Sequence, residues 1–270
     1  MTTSLPALLG DLECEYADLR GMVDPLEATE WDLPTPAAGW AVRDQISHLA
    51  FFDDAGRMAM VEPEAFAKAA EEIMKLSGDP MSEHLSMGRS MDGGQLLSWW
   101  DRAHHGLSAA LAGADPEARI PWYGPPMGVL SFASARLMET WAHGQDVADA
   151  LNQSRESTDR LRHIAHLGVR ARPFSYLARG LQVPAAWIEV RLESPSGELW
   201  NWEIGGADLG GRADSVVGSA LDFCLVVTQR RHIADTDLAV IGDNAVEWMS
   251  IAQAFAGPPG PGRPVLGRHA

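Results

Sequence analysis

The sequence predicts an N-terminal bundle of helices followed by a smaller α+β domain. Three observations carry that prediction. Apolar residues recur at helical spacing from Leu5 to Leu181. The connections between these stretches are short, as in an antiparallel bundle. At Trp187 the period changes to alternation, the mark of strands. The boundary is placed near residue 183, giving a helical domain over 1–183, an α+β domain over 184–256 and a flexible tail over 257–270.

Leu5, Leu8, Leu9, Leu12, Tyr16 and Leu19 define an amphipathic helix over residues 4–22. Pro25, Pro34, Pro36 and Gly39 then break the chain through a loop that carries Trp31 and Trp40. A second helix is predicted from Val42 to Met60 and a third from Pro63 to Leu76. Gly78–Gly94 is weakly patterned and reads as loop. Leu96–Leu111 is the next helix, and Pro121–Gly128 is a rigid aromatic turn containing Trp122 and Tyr123. A long helix covers Val129–Leu151 and another Asp159–Leu181. Trp187, Ile188, Val190 and Leu192 form a strand, Ser194–Gly197 a turn, and Trp200, Trp202 and Ile204 a second strand. Ser219–Arg231 reads as helix, Leu238–Ile241 as strand and Ala245–Phe255 as a last helix. The Pro- and Gly-rich run Gly257–Arg263 holds no regular structure.

A formal net charge of −16 speaks against nucleic acid, whose phosphates call for Lys and Arg, and against an anionic membrane surface. No apolar run approaches the roughly 20 residues that span a bilayer, and Met1–Leu9 lacks the basic and apolar regions of a signal peptide. Cys14 and Cys224 are isolated, which suits reduced core thiols of a cytoplasmic protein. The partner implied is a small-molecule substrate, with the oligomeric state open.

Two segments carry the chemistry. In Gly39–Leu49, His48 lies at the edge of the apolar stripe Val42, Ile46, Leu49. In Met138–Asp146, Glu139 and His143 are four residues apart on the face opposite Leu130, Leu137, Trp141 and Ala148. His, Glu and His together make an N₂O donor set for a divalent metal with coordination positions left open. Taken alone, the second segment equally fits an ordinary exposed i,i+4 pair, and His48 a boundary residue. Asp53 falls on an apolar side and needs a partner: a metal-bound imidazole, or a neighbouring helix. Asp146 is a second candidate brace. Arg136, one turn before Glu139, is positioned to receive a substrate anion. His163, His166 and Arg170 share one helix face and could receive a carboxylate, or form a polar surface. His104, His105 and His232 read as structural. Nucleophile-elbow, P-loop, dinucleotide and HExxH patterns are absent.

At these residues the chain resembles the DinB-like superfamily, and more closely its actinobacterial branch related to mycothiol-dependent maleylpyruvate isomerase. The likeness spans nearly the whole chain. Trp40, Val42, Asp44, His48 and Leu49 match the family's first ligand helix, written W-x-V-x-D-x-x-x-H-L. Glu139, His143 and Asp146 match its second. The run Asp222–His232 is similar to a subgroup described only as metal-binding. The resemblance implies a DinB-like four-helix bundle holding a metal through His48, Glu139 and His143; the donor set makes zinc the first choice, with nickel, iron and manganese as alternatives. It also implies a low-molecular-weight thiol such as mycothiol as cosubstrate.

The favoured chemistry is therefore thiol activation at a metal, for S-transfer to a small electrophile or for its cis–trans isomerisation. Trp40, Trp122 and Tyr123 would wall the pocket, Arg136 would neutralise an acidic substrate, and Asp53 or Asp146 would brace the ligands. Two alternatives stand beside it: a thiol-independent metal-dependent hydrolase, lyase or isomerase, and a non-catalytic metal- or small-molecule-binding protein.

Overall fold

The computed structural model describes residues 4–75, 82–205 and 214–267. The chain divides into two compact units, 1–155 and 156–270. Among the described residues no helix is long and apolar enough to cross a membrane.

The first unit comprises α1 (Leu5–Val23), α2 (Val42–Val61), α3 (Pro63–Lys75), α4 (Ser82–Arg89), α5 (Gly93–Ala112), the short ribbon strands β1 (Arg119–Ile120) and β2 (Met127–Gly128), and α6 (Val129–Ala150). The four long helices α1, α2, α5 and α6 pack together as a bundle. Leu8, Leu12 and Leu19, then Ile46 and Leu49, then Leu96, Trp100 and Leu107, then Phe132 and Leu137 are sealed inside it. Each such side chain contributes about 2 kcal/mol of burial.

Helix starts are chemically marked. Ser4 accepts the Ala7 N–H. Asp44 reaches back to the Ala41 N–H at 2.8 Å. Asp92 and Gln95 exchange bonds across the first turn of α5.

Two elements of this unit depart from expectation. The predicted loop 78–94 contains α4 from Ser82 onward, while 78–81 lies outside the described residues. The buried positions described on α4 are His84 and Gly88, four apart. A stripe made of an imidazole and a glycine carries no apolar period, so hydropathy does not reveal it. The aromatic turn 121–128 joins β1 to β2, whose residues pair antiparallel, Ile120 opposite Met127.

The second unit comprises α7 (Leu161–Arg170), α8 (Arg172–Leu177), β3 (Ile188–Glu193), β4 (Leu199–Ile204), β5 (Asp214–Ser219), α9 (Ala220–Val227), β6 (Ala239–Ile241) and α10 (Asp243–Ile251). The boundary thus falls at 155/156 and not near 183. The reason is packing: α7 lies against α9, so closely that a Cβ on Gly168 would stand 2.7 Å from Val227 Cγ2. The single helix expected over 159–181 is two. Pro173 opens α8, in the first turn, where a missing N–H costs nothing.

The sheet has the order β4-β3-β5-β6. β3 pairs antiparallel with β4, Val190 opposite Trp202, and parallel with β5, Val190 opposite Val216. Ile188, Val190 and Leu192 alternate inward from β3. Strand β5 was not legible, because Asp-Ser-Val-Val-Gly-Ser offers only two strong apolar residues; pairing on both sides makes it central. Ser219 caps α9 through the Asp222 N–H, and α9 ends at Val227, before Gln229 at φ 58°. The tail contains no helix or strand from 257 to 267. It is nevertheless tied down: Gly257 and Gly260 carbonyls accept from Gln253 and Arg179, and the Leu266 N–H donates to Asp235.

Candidate metal centre

His48 on α2 and Glu139 and His143 on α6 converge. One ligand atom from each lies within 4.8 Å of the other two. Glu139 Oε2 is 3.2 Å from His143 Nε2 and 3.9 Å from His48 Nε2. The imidazole centroids are 4.4 Å apart. His143 is buried and Glu139 half-buried on a helix most of whose residues are buried, so the two are not an exposed surface pair.

Burial is the largest influence on His48 and, with the neighbouring His143, pushes it down to about 3. Burial works to raise Glu139, but hydrogen bonds to His143 and His48 hold it well below the usual carboxylate range. A neutral His48 imidazole and an ionised carboxylate are the forms a divalent cation requires.

Each motif residue of the first segment has a local task. Trp40 lays its ring on His143, centroids 5.9 Å apart and 16° from parallel. Val42 and Leu49 are core. Asp44 caps α2 and takes Arg89 from α4 in two contacts of 2.9 Å. His48 supplies the donor. Phe52, one turn on, packs against His48 at 4.6 Å.

Two neighbours were not anticipated. Gln45, fully buried one turn before His48, has its Oε1 against His143 Nδ1. A polar residue amid the core positions Val42, Ile46 and Leu49 was the available signal. His84, fully buried on α4, packs its ring 5.2 Å from His48 and 5.3 Å from Phe51. Its segment read as loop, and nothing in its spacing pointed to the site.

Of the two predicted braces, Asp53 is engaged by other groups. Asp53 bonds Arg136 Nε at 3.0 Å and accepts from the Tyr16 hydroxyl at 3.3 Å. Its partner is a neighbouring helix, because the guanidinium is the nearest group that satisfies a buried carboxylate. Arg136 is 4% exposed and held by that carboxylate, not poised toward solvent for a substrate anion. Asp146 is buried on α6 three residues beyond His143, and the partner of His143 Nδ1 is Gln45. Trp122 and Tyr123 meet Phe52 at 6.1 and 5.8 Å and so flank the ring that backs His48. Burial pushes Tyr123 up to about 12. His163, His166 and Arg170 belong to the second unit, on α7, where His166 Nδ1 accepts from the Trp202 indole at 3.2 Å.

Residues 12–148, which contain all three donors, match the family described as mycothiol maleylpyruvate isomerase N-terminal domain. The chain belongs to this family. Two uncharacterized proteins from two strains of Mycobacterium tuberculosis are 41% identical to this member over 255 residues, covering 94% of this chain and 97% of theirs. A crystal structure of mycothiol-dependent maleylpyruvate isomerase superposes with a TM-score of 0.59 at 15% identity, over 89% of this chain and 95% of that one. A structure of a single-residue mutant of that enzyme gives 0.58 at 17% identity, over 85% and 92%. At such identities the likeness establishes a shared fold: a helical domain followed by a small sheet domain.

Proposed function

We propose that this protein is a cytoplasmic metal-dependent enzyme that works with a low-molecular-weight thiol of the mycothiol kind. It would isomerise a small electrophilic substrate about a double bond, or join the thiol to an electrophilic carbon of it through sulfur. The observation that carries the reading is the convergence of His48, Glu139 and His143 from two helices. Family membership supports the thiol. The fit to a cation rests on the donors themselves: two imidazoles and one ionised carboxylate, each with an atom facing the others. Bound there, a divalent ion, zinc by preference, would lower the pKa of a thiol so that thiolate is available at neutral pH.

The chain's own residues prepare that chemistry. Glu139 brings the negative charge and keeps it despite burial. His48 stays neutral and presents Nε2 toward the same point. Trp40 and Phe52 pack their rings against the imidazoles. The Asp53–Arg136 pair fixes α6 against α2 one turn before Glu139.

The deciding experiment is steady-state turnover of metal-loaded protein on cis-configured electrophiles, with and without added thiol. The reading expects turnover that depends on thiol, lost mainly in kcat by Glu139→Gln and by His143→Ala. Undiminished turnover in thiol-free buffer would replace it with the metal-water alternative. Retained metal with no turnover under any thiol would favour a binding protein.

A further inference from the structure

We propose that Gln45 is the positioning residue that sets the tautomer of His143, through a hydrogen-bond chain that runs in one direction only. This rests on the reading of His48, Glu139 and His143 as a metal site. The chain has four members. Thr35 Oγ1 is 3.0 Å from the Trp40 carbonyl oxygen. Gln45 Nε2 is 2.8 Å from Thr35 Oγ1. Gln45 Oε1 meets His143 Nδ1.

The direction follows from what each group can do. A carbonyl only accepts, so the Thr35 hydroxyl spends its single proton on Trp40. Toward Gln45 that hydroxyl can then only accept. The amide must turn its NH₂ to Thr35, and its oxygen therefore faces His143. An amide oxygen only accepts, so His143 Nδ1 carries hydrogen. Nε2 is left as the nitrogen that meets Glu139, 3.2 Å away, and that a cation can take in place of a proton. The same Trp40 whose carbonyl anchors the chain also stacks its indole on His143. Ring plane and tautomer are thus fixed from one loop. Gln45 is completely buried, as befits a group whose hydrogen bonds must not be exchanged for water.

The test uses the full-length protein with zinc ion as the probe. Nitrogen-15 NMR of His143 in metal-free protein should show hydrogen on Nδ1, and the same Nδ1–H should persist after zinc is added. Gln45→Leu keeps the volume and removes the acceptor. It should lose the protected Nδ1–H and weaken zinc binding by about 10–100-fold. Gln45→Glu restores an acceptor and should recover the Nδ1–H and most of the zinc affinity. Thr35→Val lies outside contact with His143, yet frees the amide to turn over. It should reduce the Nδ1–H population and weaken zinc binding in the same direction. Wild-type His143 carrying its hydrogen on Nε2 alone, or Gln45→Leu with unchanged zinc affinity, would overturn the proposal. Failure of the metal reading is distinguishable: wild type would then bind no zinc, while the Nδ1–H signal, read without metal, would still report on the chain from Thr35.

Discussion

Arg136 Nε lies 3.0 Å from Asp53 Oδ1 inside the bundle, with both side chains closed off from solvent. Tyr16 adds its hydroxyl to the same carboxylate; burial and the neighbouring Asp53 keep that phenol protonated, so it donates. Arg136 joins α6 to α2 beside the donors, and Glu139 on the next turn also favours its charge. The arrangement makes Arg136 a tether of the site.

Removing Asp53 leaves Arg136 buried and charged, and removing Arg136 leaves a buried carboxyl without its partner. Asp53→Ala or Arg136→Met should each cost about 3–5 kcal/mol, whereas the double variant Asp53→Leu with Arg136→Met should cost markedly less than their sum. Urea unfolding of the cycle measures this. A stable Arg136→Met whose only defect is a raised KM for an acidic substrate would restore the anion-receiving role predicted from the sequence.

A cation that binds only the folded donors must stabilise the fold. With zinc at 100 times its dissociation constant, the gain should be about 2.7 kcal/mol, seen as a rise in Tm that chelator reverses. His48→Ala and Glu139→Gln should abolish the gain while leaving the metal-free protein folded. Equal zinc-dependent stabilisation in both variants would place the ion elsewhere.

How far the sequence revealed the site depended on what its residues look like in one dimension. Spacing singled out His48, Glu139 and His143 as candidates, through an i,i+4 pair on one helix and a histidine at a stripe edge on another, but it was the family resemblance that joined them into one set. The bundle helices and the strands β3 and β4 were legible because their apolar residues are periodic. Gln45 and His84 were hidden because their roles are long-range: one is polar within a core stripe, the other sits on a helix whose buried positions are an imidazole and a glycine. Asp53 was expected to find either a metal-bound imidazole or a neighbouring helix, and Arg136 a substrate anion; that the two meet each other was not visible, since spacing cannot show that two buried opposite charges on different helices pair. The domain boundary was misplaced because helical period alone cannot tell which neighbour α7 packs on.

Acid should unfold the metal-free protein early. Burial pushes His48 down to about 3 and His104 down to about 4, the latter helped by His105. Unfolded, each titrates near about 6.5. Between those values the unfolded chain binds more protons, so stability is full above about 6.5 and falls as pH drops toward 4 and 3. Asp53 acts in the opposite sense: burial raises it to about 6, so its contribution is present at low pH and lost as pH rises through 6. His166, lowered chiefly by burial, and Glu139, held low by its two histidines, act in the same sense as His48 and His104, so acidification brings a net loss. Chemical unfolding between pH 7 and 4 should show this slope, and His104→Gln should flatten it. A His104→Gln variant with the wild-type slope would show that this imidazole is not held neutral.

One of the contacts between helix α4 and α2 leaves no spare room. A Cβ built on Gly88 would stand 2.3 Å from Ser47 Cβ, next to His48 in sequence. A Cβ has no rotamer to escape through, so Gly88→Ala must push the two helices apart. That shift should cost about 1–3 kcal/mol and draw His84 away from the His48 ring it packs against at 5.2 Å. Zinc affinity should fall with it, because the wall that holds His48 is displaced. The compensating change is on the other helix: Ser47→Gly removes the opposing Cβ. The double variant Ser47→Gly with Gly88→Ala should recover zinc affinity and most of the stability, apart from about 1 kcal/mol for a glycine within α2. Isothermal titration with zinc and urea unfolding of the four proteins read both quantities. If Gly88→Ala binds zinc as tightly as wild type, the packing of α4 has no part in positioning His48.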